Sequence, residues 1–490
     1  MRTRLASSIF VLLAIISTRS TSDQRLQAAS TAHVAAAPTF ATDIAPLIYE
    51  RCTVCHRPGQ SAPFSLITFD DVKKRGEFIV TVTAKRYMPP WHAMHAPGFE
   101  EFRDDRRLSD AQLAMLKSWV DAGMPSGDLS KAPKAPEFTS GWSLGTPDLL
   151  LSLPNSITVP AEGADIYKNI VLPIDLPEDR WITAIDFAPS ARREVHHALF
   201  FTGDAKMSSQ VGDGDLLPGL NLNAARGGGA GAGRATAGGR RGGGSSNALT
   251  QALDSAWGGV GGWVPGITPK LFPEGIAQPF PAHSNLVVQL HLHPSGRAQQ
   301  EQGQLAIYFA KRAPERSLTS VQVPPMFGYA AGIDIPAGEA HYTIKDSFVL
   351  PVDVDAYGVR GHAHYLAKEM KMTATLPDGT TRGLLWISDW DFGWQDSYYY
   401  KTPFHLPKGT KVDTEIVYDN TAANPRNPNT PLKRVMWGRE SFDEMGSMTL
   451  MVAAMNPREG DTLRQTQSQH FRQQLVARML GRGGGTDPQR

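Results

Sequence analysis

From about residue 146 to 455 the chain is written in short apolar runs of alternating pattern, cut repeatedly by Pro, Gly or Asp, and this constrains its fold more than any other feature. Leu286–His293, Met370–Leu376 before the turn Pro377-Asp378-Gly379, and Val412–Tyr418 are examples. Side chains of an extended strand alternate between two faces, so each run can bury one face, and regular short strands with such turns predict β-sandwiches. About 300 residues of this pattern suit two sandwiches better than one, over 149–315 and 316–455. In the 286–293 run, Leu286, Val288, Leu290 and Leu292 fall on one face and Val287, Gln289, His291 and His293 on the other. The two histidines are therefore expected off the sandwich core, on a surface that can face a partner domain.

Residues 38–130 carry helical signals instead. Ser109 and Gln112 form an S-x-x-Q capping box; Leu113, Leu116 and Val120 recur at helical spacing; Gly123 and Pro125 stop the run. Residues 131–148, with their prolines, lysines and serines, read as a linker. Arg2 and Arg4 precede an apolar stretch from Leu5 to Ile16, too short to span a bilayer with ease. Residues 1–30 are thus expected to be an export signal, cleaved or kept as a weak anchor, which places the protein in the periplasm or another extracytoplasmic space. The segment 224–247, almost wholly Gly, Ala, Arg and Ser, cannot bury apolar surface and is expected to be a flexible loop. The polar tail 456–490 is expected to fray.

Lys and Arg number 49 against 48 Asp and Glu, a balance that suggests no nucleic-acid partner and no electrostatic hold on anionic membranes. Only two cysteines are present, Cys52 and Cys55, and both belong to Cys52-Thr53-Val54-Cys55-His56. No disulfide framework is available, and C-x-x-C-H is the attachment pattern of c-type haem. Its spacing lets both thiols add to one porphyrin while His56 reaches the iron. A thioredoxin-like pair or a zinc site needs no following histidine, and a zinc site would want a second cysteine pair. For the other axial position Met88, in Tyr87-Met88-Pro89-Pro90-Trp91, is the choice, with His92, Met94 and His95 as rivals; thioether ligation raises the potential and suits an electron carrier. This segment resembles a family of small cytochrome c domains of exported bacterial proteins. The resemblance rests on Asp43-Ile44-Ala45-Pro46-Leu47, Cys52–His56, Ala62-Pro63-Phe64, Met88-Pro89-Pro90-Trp91 and Leu108-Ser109-Asp110, and implies an all-α fold with one covalent haem c.

Three histidine doublets fall in the β region: His196-His197, His291 with His293, and His362 with His364. Alternation projects His362 and His364 to one side of a strand, whereas adjacent His196 and His197 can share a metal only at a bulge or strand end. Imidazole sites without thiolate suit copper or zinc. Together these positions resemble the copper type II, ascorbate-dependent monooxygenases, the family of peptidylglycine alpha-hydroxylating monooxygenase and dopamine beta-monooxygenase. That resemblance implies two all-β jelly rolls, each holding one of two copper ions across a solvent-filled cleft. His196, His197 and His291 in Gln289-Leu290-His291 would hold the electron-storing copper. His362, His364 and Met445 in Asp443-Glu444-Met445 would hold the O2-binding copper. His293 remains a rival to His291, and Met448 to Met445.

The resemblance further implies a C–H hydroxylating enzyme using O2, a small-molecule or peptide substrate and an electron donor, whether an ascorbate-like reductant, a quinol or a cytochrome. Arg360 stands where the peptide enzyme anchors its substrate carboxylate, but the second anchor, a tyrosine, is replaced by Thr449, which argues against a peptidylglycine substrate. The fused haem suggests an internal electron relay. The alternative is a non-catalytic haem- and copper-binding protein for electron transfer or metal handling.

Overall fold

The computed structural model describes residues 37–479, apart from 59, 61, 139–140, 205–207, 210, 214–258, 266 and 268. The export signal expected over 1–30 and the Gly-rich loop expected over 224–247 lie outside the described residues. The described chain is mostly β-sheet with few helices.

Before residue 149 every described element is helical: Phe40–Ile44, Ala45–Arg51, Phe69–Lys73, Gly76–Ala84, Asp110–Asp121 and the short turn Leu129–Lys131. Ser109 caps its helix as its sequence predicts, its hydroxyl accepting from the Gln112 backbone at 3.2 Å while the Gln112 side chain accepts from the Ser109 backbone at 2.8 Å. The helices share a small core that includes Phe40, Ile48, Leu66, Val72, Leu116 and Trp119.

The segment between the helices Gly76–Ala84 and Asp110–Asp121 leaves that core. From Trp91 to Arg106 it runs as an arm along the second β region, with bridges from Ala93 to Ile387, Phe99 to Gly383 and Phe102 to Tyr400. Trp91 meets Tyr398 edge-on at 5.1 Å, and the Phe102 ring stacks on Tyr400 at 5.4 Å. Ion pairs of Glu100 with Arg382 and of Arg106 with Asp396, both 2.7 Å, flank the arm. Gly383 is required here, since a Cβ at that position would sit 2.4 Å from the Phe99 ring. Aromatic residues with no room in a small helical core find their burial on the neighbouring sheet.

Two four-stranded sheets pack against one eight-stranded sheet. The first comprises Ile166–Leu172, Asn285–Leu292, Val195–Gly203 and Gly259–Trp263. The second comprises Tyr342–Val349, Lys411–Tyr418, Ala367–Thr375 and Thr381–Ile387. Each faces half of the large sheet over its own core. Leu286, Val288, Leu290 and Leu292 meet Ile182, Phe187 and Ile307 in one, and Met370, Leu385 and Ile416 meet Val354, Val359 and Leu450 in the other. Two cores are thus present, and one sheet runs through both. The join is a short parallel pairing of Arg316 and Ser317 with Ile276 and Ala277.

The tail corrects an expectation. Gly460–Met479 is a helix of 20 residues rather than a fraying end. Leu463 and Phe471 are buried, and Phe471 packs with Phe201, Val287, Met326 and Met445 between the two halves. Its apolar residues are too sparse to give a helical period, so its order comes from docking.

Candidate metal centre

His196 and His197 open the strand Val195–Gly203, where the register against Asn285–Leu292 slips between Val195 and His197. This irregularity is the bulge that adjacent histidines need in order to face one way. His197 then lies directly across from His291. The three offer ligand nitrogens that all lie within 4.8 Å of one another. The Nδ1 atoms of His196 and His197 are 3.2 Å apart, and both rings lie 4.9 Å from that of His291. Burial, reinforced by neighbouring imidazoles, pushes His196 down to about 3 and His197 well below its ordinary range. Neutral imidazoles with converging lone pairs are the donor set a cation requires.

His291 is held from behind. Its Nε2 lies 2.8 Å from Asp165, Tyr167 stacks on its ring at 4.3 Å, and its buried Nδ1 has no hydrogen-bond partner. Burial alone would raise the Asp165 carboxyl, but hydrogen bonds from His291, Ser441 and His293 outweigh it and hold it well below the usual carboxylate range. His293 stands outside the cluster, exposed, with Nδ1 on the same carboxylate at 2.6 Å.

His362 lies near the end of the strand Val354–Ala363 and His364 just beyond it, their rings 5.5 Å apart. His362 Nδ1 bonds Gln395 at 2.6 Å, and burial lowers this imidazole to about 4. His364 Nδ1 reaches the Asp443 carbonyl at 3.2 Å, and burial holds it far below its ordinary value. Met445 immediately precedes the strand Gly446–Ala454. Glu444, wholly buried, fixes the geometry between them: it accepts the backbone N–H groups of His364 at 2.5 Å, Leu366 at 2.8 Å and Met445 at 2.8 Å. Met445 lines the same cavity as His362 and His364, whereas Met448 is packed in the core of the second half.

That cavity, about 240 Å³, also takes in His197, Arg360 and Thr449. The two histidine sets adjoin rather than stand apart: the His197 and His362 rings are 6.4 Å apart, and Phe392 stacks on His196 at 4.3 Å while meeting His364 at 5.4 Å. Arg360, next to Tyr399, makes no ion pair among the described residues, leaving its guanidinium for an anionic group in the cavity. Arg106 of the arm completes the wall.

In the helical region Cys52 ends the helix Ala45–Arg51, and the backbone N–H of His56 bonds the Cys52 carbonyl at 2.9 Å. The two cysteines are not joined in a disulfide. His56 Nδ1 lies 3.2 Å from the Phe64 carbonyl, which makes that nitrogen the donor and leaves Nε2 with its lone pair. This tautomer fits iron ligation. Met88 is half-buried, its backbone N–H bonded to the Val82 carbonyl at 3.3 Å.

Sequence reasoning did not find Asp165, Phe392, Gln395 or Arg106, which sit in no motif. Glu444 was in a quoted motif, but its role comes only from the fold.

No protein-family model matches this chain, and comparison with curated proteins finds no match. Similarities to solved structures are faint. The chain is 11% identical to the infectious bursal disease virus VP2 subviral particle over 64% of this chain and 74% of that one, with a TM-score of 0.16. With PNGF-II the identity is 10%, the coverage 60% and 65%, and the TM-score 0.25. With PBCV-1 VP54 the values are 10%, 62% and 93%, and 0.21. Likenesses this weak carry no argument about function.

Proposed function

We propose that the protein is an exported copper-dependent monooxygenase: a cytochrome c domain with covalent haem, followed by two jelly-roll copper domains. The observation that carries this reading is that four distant stretches of backbone bring His197, His362, His364 and Met445 to one cavity, with His196 and His291 clustered on His197 beside it. Copper at these residues would supply the redox chemistry, C–H + O2 + 2 e⁻ + 2 H⁺ giving C–OH + H2O, and the haem would bring in the electrons.

The protein's own work is binding and positioning. His196 and His197, which burial keeps neutral, would hold one ion together with His291. His362, His364 and Met445 would hold the other, and the soft sulfur favours the reduced metal. Cys52 and Cys55 would hold the haem covalently, and His56 and Met88 would be the ligands offered to its iron. Arg360 would anchor an anionic group of the substrate beside His362. Phe392 and Phe327 each set an aromatic ring against a site histidine.

The test is O2 uptake with a reductant, coupled to hydroxylated product, by copper-loaded full-length protein over a panel of carboxylate-bearing substrates. Uptake matched by product supports the reading. Stoichiometric copper and haem binding with no product from any substrate supports the electron-transfer or metal-handling alternative.

A further inference from the structure

We propose that Asp165 is the positioning residue that decides which nitrogen His291 presents to the metal, and that its carboxylate also ties this histidine to the loop bearing Met445. The proposal rests on the reading of His196, His197 and His291 as a metal site.

A carboxylate only accepts, so the His291 nitrogen facing it must carry the proton. That nitrogen is Nε2, at 2.8 Å. A neutral imidazole has one N–H, which leaves Nδ1 as a bare lone pair. In this structure Nδ1 is buried and without a partner, on the ring that closes the His196–His197 cluster. An unpaired buried acceptor is costly unless something electropositive completes it, and a cation held by three imidazoles is such a thing.

Asp165 itself is nearly enclosed, with 8% of its side chain exposed. Its other oxygen takes His293 Nδ1 at 2.6 Å, and the Ser441 hydroxyl donates to the oxygen that faces His291. Ser441 begins the short run Ser441-Phe442-Asp443-Glu444-Met445. In the same region Tyr167, stacked on His291, donates its hydroxyl to the Arg439 carbonyl at 2.5 Å. One carboxylate therefore orients a histidine of the first set and pins the loop that delivers the thioether of the second. His293 becomes a hydrogen-bond partner of Asp165, not a metal ligand.

The experiment uses full-length chain in a His362→Ala/His364→Ala background, so that only the first set is read. Cu(II) affinity is measured by competition, and electron spin-echo envelope modulation reads the non-coordinating imidazole nitrogens, whose quadrupole lines respond to a hydrogen bond on that nitrogen. Asp165→Ala is expected to weaken copper binding roughly 10- to 100-fold and to shift the remote-nitrogen lines. Asp165→Asn, which keeps an acceptor, should fall between it and the parent. His293→Ala should leave one copper bound. Unchanged affinity and unchanged lines in the Asp165 variants, or copper loss in His293→Ala, would overturn the proposal. If circular dichroism shows Asp165→Ala unfolded, Asp165→Asn decides it on the same two readouts. Failure of the underlying metal reading is separately visible as a parent that takes up no copper, and it overturns the proposal too.

Discussion

Glu444→Gln is the substitution that tests most sharply how the second histidine set is built. The carboxyl group is fully buried, which raises it to about 8, and it accepts the backbone N–H groups of His364 and Met445 on one oxygen and that of Leu366 on the other. An amide keeps one accepting oxygen and turns an NH2 toward whatever lies opposite. With the oxygen kept on His364 and Met445, the Leu366 N–H loses its acceptor and faces another donor. A buried donor left unsatisfied costs about 1–3 kcal/mol, and the opposed donor adds to it, so a loss of about 2–4 kcal/mol is expected. Glu444→Ala leaves these N–H donors without their acceptor and should cost more, about 3–6 kcal/mol after water enters the vacated space. The measurement is the urea midpoint followed by tryptophan fluorescence, paired with copper titration at the His362–His364–Met445 set. Both should fall together, because the same oxygen spaces the histidine and the thioether. A Gln variant within about 0.5 kcal/mol of the parent, or one destabilised with undiminished copper binding at this set, would refute the reasoning.

Three further outcomes follow from the packing and the titrations. Burial raises the Asp186 carboxyl to about 6 from an ordinary 3.8, so the unfolded chain gives up a proton that the folded chain retains and stability falls as pH rises through that window. Asp186→Asn, which cannot ionise, should therefore gain on the parent between pH 4 and 6 and level off at no more than about 3 kcal/mol; a gap that ignores pH in denaturation curves contradicts this. Gly383→Ala should push the Phe99 ring off the sheet, costing about 1–3 kcal/mol and exposing residues 91–106 to limited proteolysis ahead of the sheets. Met448→Ala should cost about 2–5 kcal/mol as a core truncation while keeping copper at the second set, whereas Met445→Ala, which also removes packing against Phe471, should lose copper there; equal copper binding in the two variants would undo the distinction between the two methionines.

The parts of this fold legible in the sequence are those encoded by neighbours along the chain. The strict alternation of 286–293 placed Leu286, Val288, Leu290 and Leu292 in a core and put Val287, Gln289 and His291 on the opposite side. The adjacency of His196 and His197 demanded a bulge, and the register slip supplies it. What stayed hidden depends on partners far away in sequence. Asp165 meets His291 across 126 residues and Ser441 across 276, and no local pattern marks it. The eight-stranded sheet closes through a two-residue parallel pairing, too short to leave a periodic trace. The helix at 460–479 has too few apolar residues to announce itself. Nor could spacing alone say that His197 and His362 would come within 6.4 Å, since that depends on how the halves pack.

Copper counting tests the central claim most directly. The full-length protein, loaded with copper and freed of excess metal, should carry two ions per chain. Replacing His196 and His197 by alanine should remove one, and replacing His362 and His364 should remove the other, with circular dichroism unchanged in each. A parent holding less than one copper, or paired variants that keep both, would contradict the account.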